Sequence, residues 1–71
     1  MTPQQAAVMA HMTEHGSITV MEGVRALDMV DVRKRISELR RLGVDIVDIN
    51  EPNADGRGQH KRYFLKGENN A

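Results

Sequence analysis

Projected at 100° per residue, Val8, Met9 and Met12 fall on one stripe, with Gln4, Gln5 and Glu14 outside it. That pattern predicts a first helix, and both its ends are marked. Thr2 can cap the start, Pro3 suits the first helical position, and Gln5 can reach back to complete a capping box. Gly16 supplies the left-handed residue that closes such a helix. Ser17-Ile18-Thr19 reads as a short extended link, and as a candidate strand of a small sheet. Thr19 caps again, with Glu22 three residues on, and Met21, Val24 and Leu27 are expected to mark the buried side of a second helix. Gly23 inside that helix costs about 1 kcal/mol relative to Ala. A close approach to a neighbouring helix would explain its presence.

Asp28-Met29-Val30 reads as a turn, and a third helix then runs to about Leu42. Val32, Ile36, Leu39 and Gly43 share one of its faces. The opposite face carries Val30, Lys34, Ser37 and Arg41, flanked by Arg33, Arg40 and Glu38, while Arg35 lies beside the core edge near Leu42. Gly43 ends the helix, with Arg40 and Arg41 placed against the negative end of its dipole. Val44 to Asn50 is β-branched and strand-like, but its apolar residues shift phase between Ile46 and Val47. A bulge, or a strand covered on both sides, would account for the shift. Residues 52–58 form a loop by composition. Lys61 to Lys66 is the return strand, with Tyr63 and Leu65 facing one way and Arg62, Phe64 and Lys66 the other. Helix, short strand, helix, helix, strand, loop, strand is the order of a winged helix-turn-helix. The expected class is therefore α+β, three helices with a small antiparallel sheet and wing, over residues 1–66. Residues 67–71 read as a disordered tail.

Composition narrows the picture. The 71 residues allow one domain, and a chain of this size buries only about 60% of the surface its unfolded form exposes. With no cysteine there are no disulfides and no Cys/His spacing for a structural zinc. Stability must come from regular elements, a small sheet and, as an expectation, dimerisation. No apolar run approaches a membrane span and no secretion signal opens the chain, so a cytoplasmic location is expected.

Charge placement matters more than the net charge of zero. Nine of the ten Lys and Arg residues fall in two blocks. Arg33, Lys34, Arg35, Arg40 and Arg41 lie on the third helix. Arg57, Lys61, Arg62 and Lys66 lie in and after the loop. The acids sit mostly in the first half and around positions 45 to 55, so a dipolar molecule is expected. A helix with one apolar face and an opposite face of long hydrogen-bonding side chains suits the major groove of DNA. Arg and Lys match guanine edges and phosphates, and Ser37 can contact either a base or a phosphate. A loop carrying Arg57, His60 and Lys61 can follow the backbone or enter a minor groove.

Three other patterns carry less. His11-Met12-Thr13-Glu14-His15 formally matches the H-x-x-E-H pattern of inverted zinc peptidases. It abuts Gly16, lacks a third ligand and has no room for a substrate cleft, so it reads as two surface histidines near a helix C-terminus. Gly56-Arg57-Gly58 is no phosphate cradle, because no helix opens after it. Met9, Met12 and Met21 are expected to fill gaps in the core. Phe64, out of phase with the core face, is open between a dimer contact and a fold back over the first helix.

Residues 17–43, with the strand-loop-strand that follows, resemble small winged helix-turn-helix proteins of bacteriophages and prophages. The likeness rests on Thr2-Pro3-Gln4-Gln5, Ile18-Thr19-Val20-Met21-Glu22-Gly23 and Arg35-Ile36-Ser37-Glu38-Leu39-Arg40-Arg41-Leu42-Gly43. Ile46-Val47 and Lys61-Arg62-Tyr63 extend it over about residues 2 to 66. The resemblance implies regulatory DNA binding in a phage or prophage setting. Phage proteins of this size include transcriptional regulators and excisionase-like factors that bend DNA. Gly23 departs from the usual Ala. Asp31 is a second departure, an acid at the start of the recognition helix where it would face phosphates; it can instead cap that helix, as can Asp28, or accept a hydrogen bond from a cytosine amino group.

The sequence thus predicts a non-enzymatic, sequence-specific binder of double-stranded DNA, with no cofactor, metal, membrane or small-molecule substrate. Helix 31–42 would enter the major groove and wing 51–62 would lie on the backbone or in the minor groove. Arg33, Lys34, Ser37 and Glu38 are the expected base-edge contacts. Arg40, Arg41, Arg57, His60, Lys61 and Arg62 are the expected phosphate or wing contacts. One domain has a small footprint, so a homodimer or cooperative binding is expected. The rival reading is a protein-interaction module that docks on a host polymerase or a repressor.

Overall fold

Helix α1 (Pro3–His15) begins at a complete capping box. Thr2 Oγ1 accepts from the Gln5 amide at 3.2 Å, and Gln5 Oε1 accepts from the Thr2 amide at 3.0 Å. Gly16 closes the helix at φ 88°. Val8 and Met12 face the core as expected, but Gln5 is buried too, which corrects its placement outside the stripe. Its amide nitrogen donates to Glu38 Oε1 at 2.9 Å, so the capping residue is also a tie between helices. The computed structural model describes residues 1–66, and the tail expected at 67–71 lies outside them.

Strand β1 (Ile18–Thr19) leads directly into α2 (Val20–Leu27) through the second capping box, Thr19 with Glu22. The expected buried side of α2 is out of phase. Met21 is 55% exposed and Val24 38% exposed, while Gly23 is buried and Val20 and Leu27 are half-buried. The reason is the glycine. A Cβ built on Gly23 would overlap Val32 Cγ2, so α2 approaches α3 (Val32–Arg41) through the one position that has no side chain. The chain turns between the two helices at Asp28, φ 52°, and the Met29 amide bonds back to the Gly23 carbonyl at 3.0 Å. Met29 is buried, so it takes the core place expected of Met21.

The third helix seats as its pattern predicts, with Val32, Ile36 and Leu39 buried against Val8, Met12 and Ile18. Each such side chain contributes about 1.5–3 kcal/mol relative to leaving it exposed. Beyond Gly43, strands β2 (Ile46–Pro52) and β3 (Gln59–Leu65) pair antiparallel, and the sheet order is β1-β3-β2. The β2–β3 register is unbroken from Ile46↔Leu65 to Pro52↔Gln59. There is no bulge, and β2 is not covered on both sides. Ile46 lies with Leu65 and Tyr63 on the core face, whereas Val47 and Ile49 are exposed on the outer face. Phe64 pairs with Val47 on that outer face and is half-buried.

The cross-strand bonds Lys66 N–H to Asp45 O and Asn53 N–H to Gly58 O fix the parity of β2. Its odd-numbered residues turn their backbone groups toward β3, and its even-numbered residues turn theirs to the open edge. Two residues limit that edge. The Arg40 guanidinium donates to Ile46 O at 3.1 and 2.8 Å, and Pro52 has no N–H to offer. No helix of the described residues is long and apolar enough to cross a membrane.

Candidate nucleic-acid interface

The N-cap acid Asp31 and the one acid within α3, Glu38, are both turned toward Arg35. Arg35 is only 8% exposed and lies between α1 and α3. Its Nη1 donates to Gln4 Oε1 at 2.9 Å, its Nη2 lies 3.3 Å from Asp31 Oδ2, and its Nε lies 3.3 Å from Glu38 Oε1. The last approach is close enough for attraction but makes no hydrogen bond. Glu38 also takes the Gln5 amide hydrogen bond. Asp31 stands at the N-cap of α3 without capping it, because its side chain makes no cap hydrogen bond and its carboxylate is turned to Arg35.

With Asp31 and Glu38 turned in, the outward face of α3 carries Arg33, Lys34, Ser37 and Arg41. All four are exposed, and none has an intramolecular side-chain partner among the described residues. Glu38, placed by sequence beside this face, is half-buried and turned to Arg35 and Gln5 instead. Arg40 is also engaged within the chain, holding Ile46 O and lying 3.1 Å from Asp48 Oδ1.

The wing is residues 53–58 with the strand ends on either side. Asn53 holds it together, its side-chain amide donating to Arg57 O at 2.6 Å. The Arg57 amide donates to Asp55 Oδ1 at 2.9 Å, and the exposed Arg57 side chain has no intramolecular partner among the described residues. His60 Nδ1 lies 2.8 Å from Asn53 Oδ1, and Nε2 lies 3.0 Å from Glu51 Oε1. Arg62, on the outer sheet face, bonds Glu51 Oε1 at 2.9 Å and both Ser17 Oγ and Glu22 Oε2 at 3.0 Å. It clamps β3 to β2 and to the start of α2. Lys61 is exposed and lies 3.2 Å from Asp48 Oδ2, a surface pairing of the kind worth little.

These contacts set the electrostatics. The lysine ammonium of Lys61 and then the Arg40 guanidinium hold the Asp48 carboxyl below the usual range. Arg62 does the same for Glu51, outweighing slight burial. Burial pushes Glu22 up, but Arg62, the Thr19 amide and His11 together bring it below its ordinary value. Burial pushes Arg62 down, and Glu22 and Glu51 more than reverse this. The expected dipolar separation is therefore corrected at the sheet, where acids of β2 lie directly against bases of β3 and Arg40.

Arg33 of α3 and Gln59, His60 and Lys61 of β3 line one groove of about 430 Å³, with Met21 and Arg25 of α2 on its other side. Arg33 of α3 thus borders the same groove as the wing residues Asn53 and Ala54. Arg25 was not among the expected contacts. Once Val20, Gly23 and Leu27 are known to face inward, Met21 and Arg25 must face out, so the misread phase of α2 also hid this cation. His11, expected at the surface, has a side chain only 9% exposed, 3.7 Å from Glu22 Oε1. Its ring lies 4.5 Å from that of His15. Among the described residues no group of three or more His, Cys, Asp or Glu could hold a metal ion.

Three helices, a three-stranded antiparallel sheet and a loop projecting beside the third helix define a winged helix-turn-helix domain. The chain belongs to that family, since the family profile described as a winged helix-turn-helix domain matches residues 3–67. No curated protein and no solved structure matches the chain.

Proposed function

We propose that this protein binds double-stranded DNA sequence-specifically and acts as a transcriptional regulator, in the phage or prophage setting that its resemblance implies. Helix α3 enters the major groove and the wing lies on the backbone or in the minor groove. The observation that carries this reading is the withdrawal of Asp31 and Glu38 toward Arg35. It leaves an outward helix face of cations and a hydroxyl on a chain whose net charge is zero. Arg33, Lys34 and Ser37 are assigned to base edges or nearby phosphates. Arg41, Arg57 and Lys61 are assigned to the backbone, with Arg25 added from across the groove. Glu38, Arg40, His60 and Arg62 are assigned to holding the helix and wing in place. A single module of this size covers a small footprint, so two copies on a repeated site are part of the proposal.

The test is a titration of random and source-genome duplexes at several salt concentrations. Binding should weaken with a log–log slope of about −0.9 per phosphate engaged, and a subset of duplexes should persist where the rest are released. Arg33→Ala with Lys34→Ala should weaken binding by about tenfold or more. Unfolding free energy should stay within about 0.5 kcal/mol of the parent, because both side chains are exposed. No binding at low salt would reject the reading. The exposed Val47 and Ile49 on the outer sheet face would then favour a docking module.

A further inference from the structure

We infer that this protein forms a two-fold homodimer by pairing strand β2 with the β2 of a second copy, antiparallel and centred on Ile49. The inference does not rest on the DNA-binding reading. The sheet order β1-β3-β2 makes β2 an edge, and its even-numbered residues turn their backbone groups away from β3. Ile46, Asp48 and Asn50 therefore present N–H donors to the open side, where Pro52 has none. Asp48, Asn50 and Pro52 present carbonyls to the same side. The Ile46 carbonyl already holds two Arg40 donors, and it is the one group of this edge with a partner among the described residues.

That edge is its own complement in one register. With Ile49 opposite Ile49 of the second copy, Asp48 faces the second copy's Asn50 and Ile46 faces its Pro52. Each Asp48–Asn50 pair exchanges N–H to carbonyl bonds in both directions, and Ile46 N–H donates to the Pro52 carbonyl. The donor that Pro52 lacks falls opposite the carbonyl that Arg40 has filled, so no group on the edge is left unmatched. Registers shifted by two residues either way fail. Asp48 opposite Asp48 sets two carboxylates side by side and aims the Asn50 N–H at the occupied Ile46 carbonyl. Asn50 opposite Asn50 leaves the Asp48 carbonyl facing the Pro52 nitrogen. The side chains favour the same register. Ile49 and Val47 are 48% and 40% exposed on the outer face, and the pairing sets Ile49 against its copy with each Val47 diagonal to the other's Ile49. Val47 also pairs with Phe64, so one apolar stripe crosses the joined sheet. On the opposite face the exposed Asn50 amide meets the Asp48 carboxylate. The other edge strand, β1, has two residues and runs straight into α2, which closes the assembly at two copies. The wings leave the joined sheet at opposite ends, so the two copies reach repeated sites on separate stretches of duplex.

Sedimentation equilibrium of the full chain, free of DNA, should show a concentration-dependent dimer. Asn50→Pro removes an edge-facing N–H from each copy, on the side of a strand where proline is tolerated. It should weaken the dimer about tenfold or more, with a circular-dichroism spectrum and urea midpoint close to the parent's. Because the chain has no cysteine, Ile49→Cys and Val47→Cys report the register even if the proline variant unfolds. Position 49 meets its copy at a Cα separation of about 4.5 Å, within disulfide reach, whereas position 47 lies roughly 13 Å from its copy. Under mild oxidation Ile49→Cys should cross-link into a dimer and Val47→Cys should stay largely monomeric. A monomer at every concentration, a dimer that a folded Asn50→Pro leaves unchanged, or equal cross-linking at both positions overturns the pairing. None of these results touches the DNA reading, which the salt titration decides separately.

Discussion

Gly23 decides more of this molecule than any of its larger residues. Its missing side chain is where Val32 sits, and that contact sets both the rotation of α2 and the distance between the two helices of the turn. Gly23→Ala would gain about 1 kcal/mol of helix propensity, yet the added methyl has no room. Overpacking of this kind costs about 1–3 kcal/mol, so the net change expected in urea unfolding is a loss. Shortening the facing side chain with Val32→Ala in the same molecule should return part of it, and strictly additive losses would show that the contact is not the cause. An apolar stripe could not announce this arrangement. Met21, Val24 and Leu27 make a better hydrophobic pattern than Val20, Gly23 and Leu27, because periodicity weighs side chains and here the deciding residue has none. The capping boxes at Thr2 and Thr19 were legible, since their chemistry is local. The second role of Gln5, reaching Glu38 on another helix, was not.

At the scale of elements, β2 is the exposed strand, and it is shielded at both ends. Arg40 holds the Ile46 carbonyl and Pro52 removes a donor, leaving a short run of edge-facing backbone groups around Asp48 and Asn50 without a partner among the described residues. Arg40→Ala should lower stability by about 1 kcal/mol and lengthen the free edge. Sedimentation should then report stronger concentration-dependent self-association than the parent shows at the same salt, and unchanged sedimentation would show that Arg40 does not guard the edge. The order of elements and the seating face of α3 followed from the sequence, because a ten-residue helix with apolar residues at Val32, Ile36 and Leu39 has one way to bury them. The phase shift at Val47 did not signal a bulge. It marked two apolar residues left on an outer face, a cost that a strand pattern alone does not reveal.

Across the whole molecule, equal numbers of acids and bases are used unequally. Glu22, Asp48 and Glu51 each pair with a base, and their carboxyl groups lie below their ordinary range. The folded state therefore binds fewer protons than the unfolded one, and these groups add stability that is fully present at neutral pH. It should be lost as pH falls through about 4 and below, visible as a declining thermal midpoint. Arg62→Met should flatten the acid limb, because two of the three carboxylates would lose their partner. A parallel decline in both proteins would assign the acid loss elsewhere. The proposed DNA face draws on what this pairing leaves over, which is why net charge said so little about it and position said more.

Arg35 has a consequence that reaches past this one chain. The residue that fixes α3 against α1 points inward and is nearly sealed from solvent, so the seat of the helix does not depend on what its far side displays. Positions 33, 34, 37 and 41 are exposed and have no side-chain partner among the described residues, and exchanging them should leave the framework undisturbed. A domain assembled in this way can acquire a new target by surface substitution alone, with its architecture inherited intact.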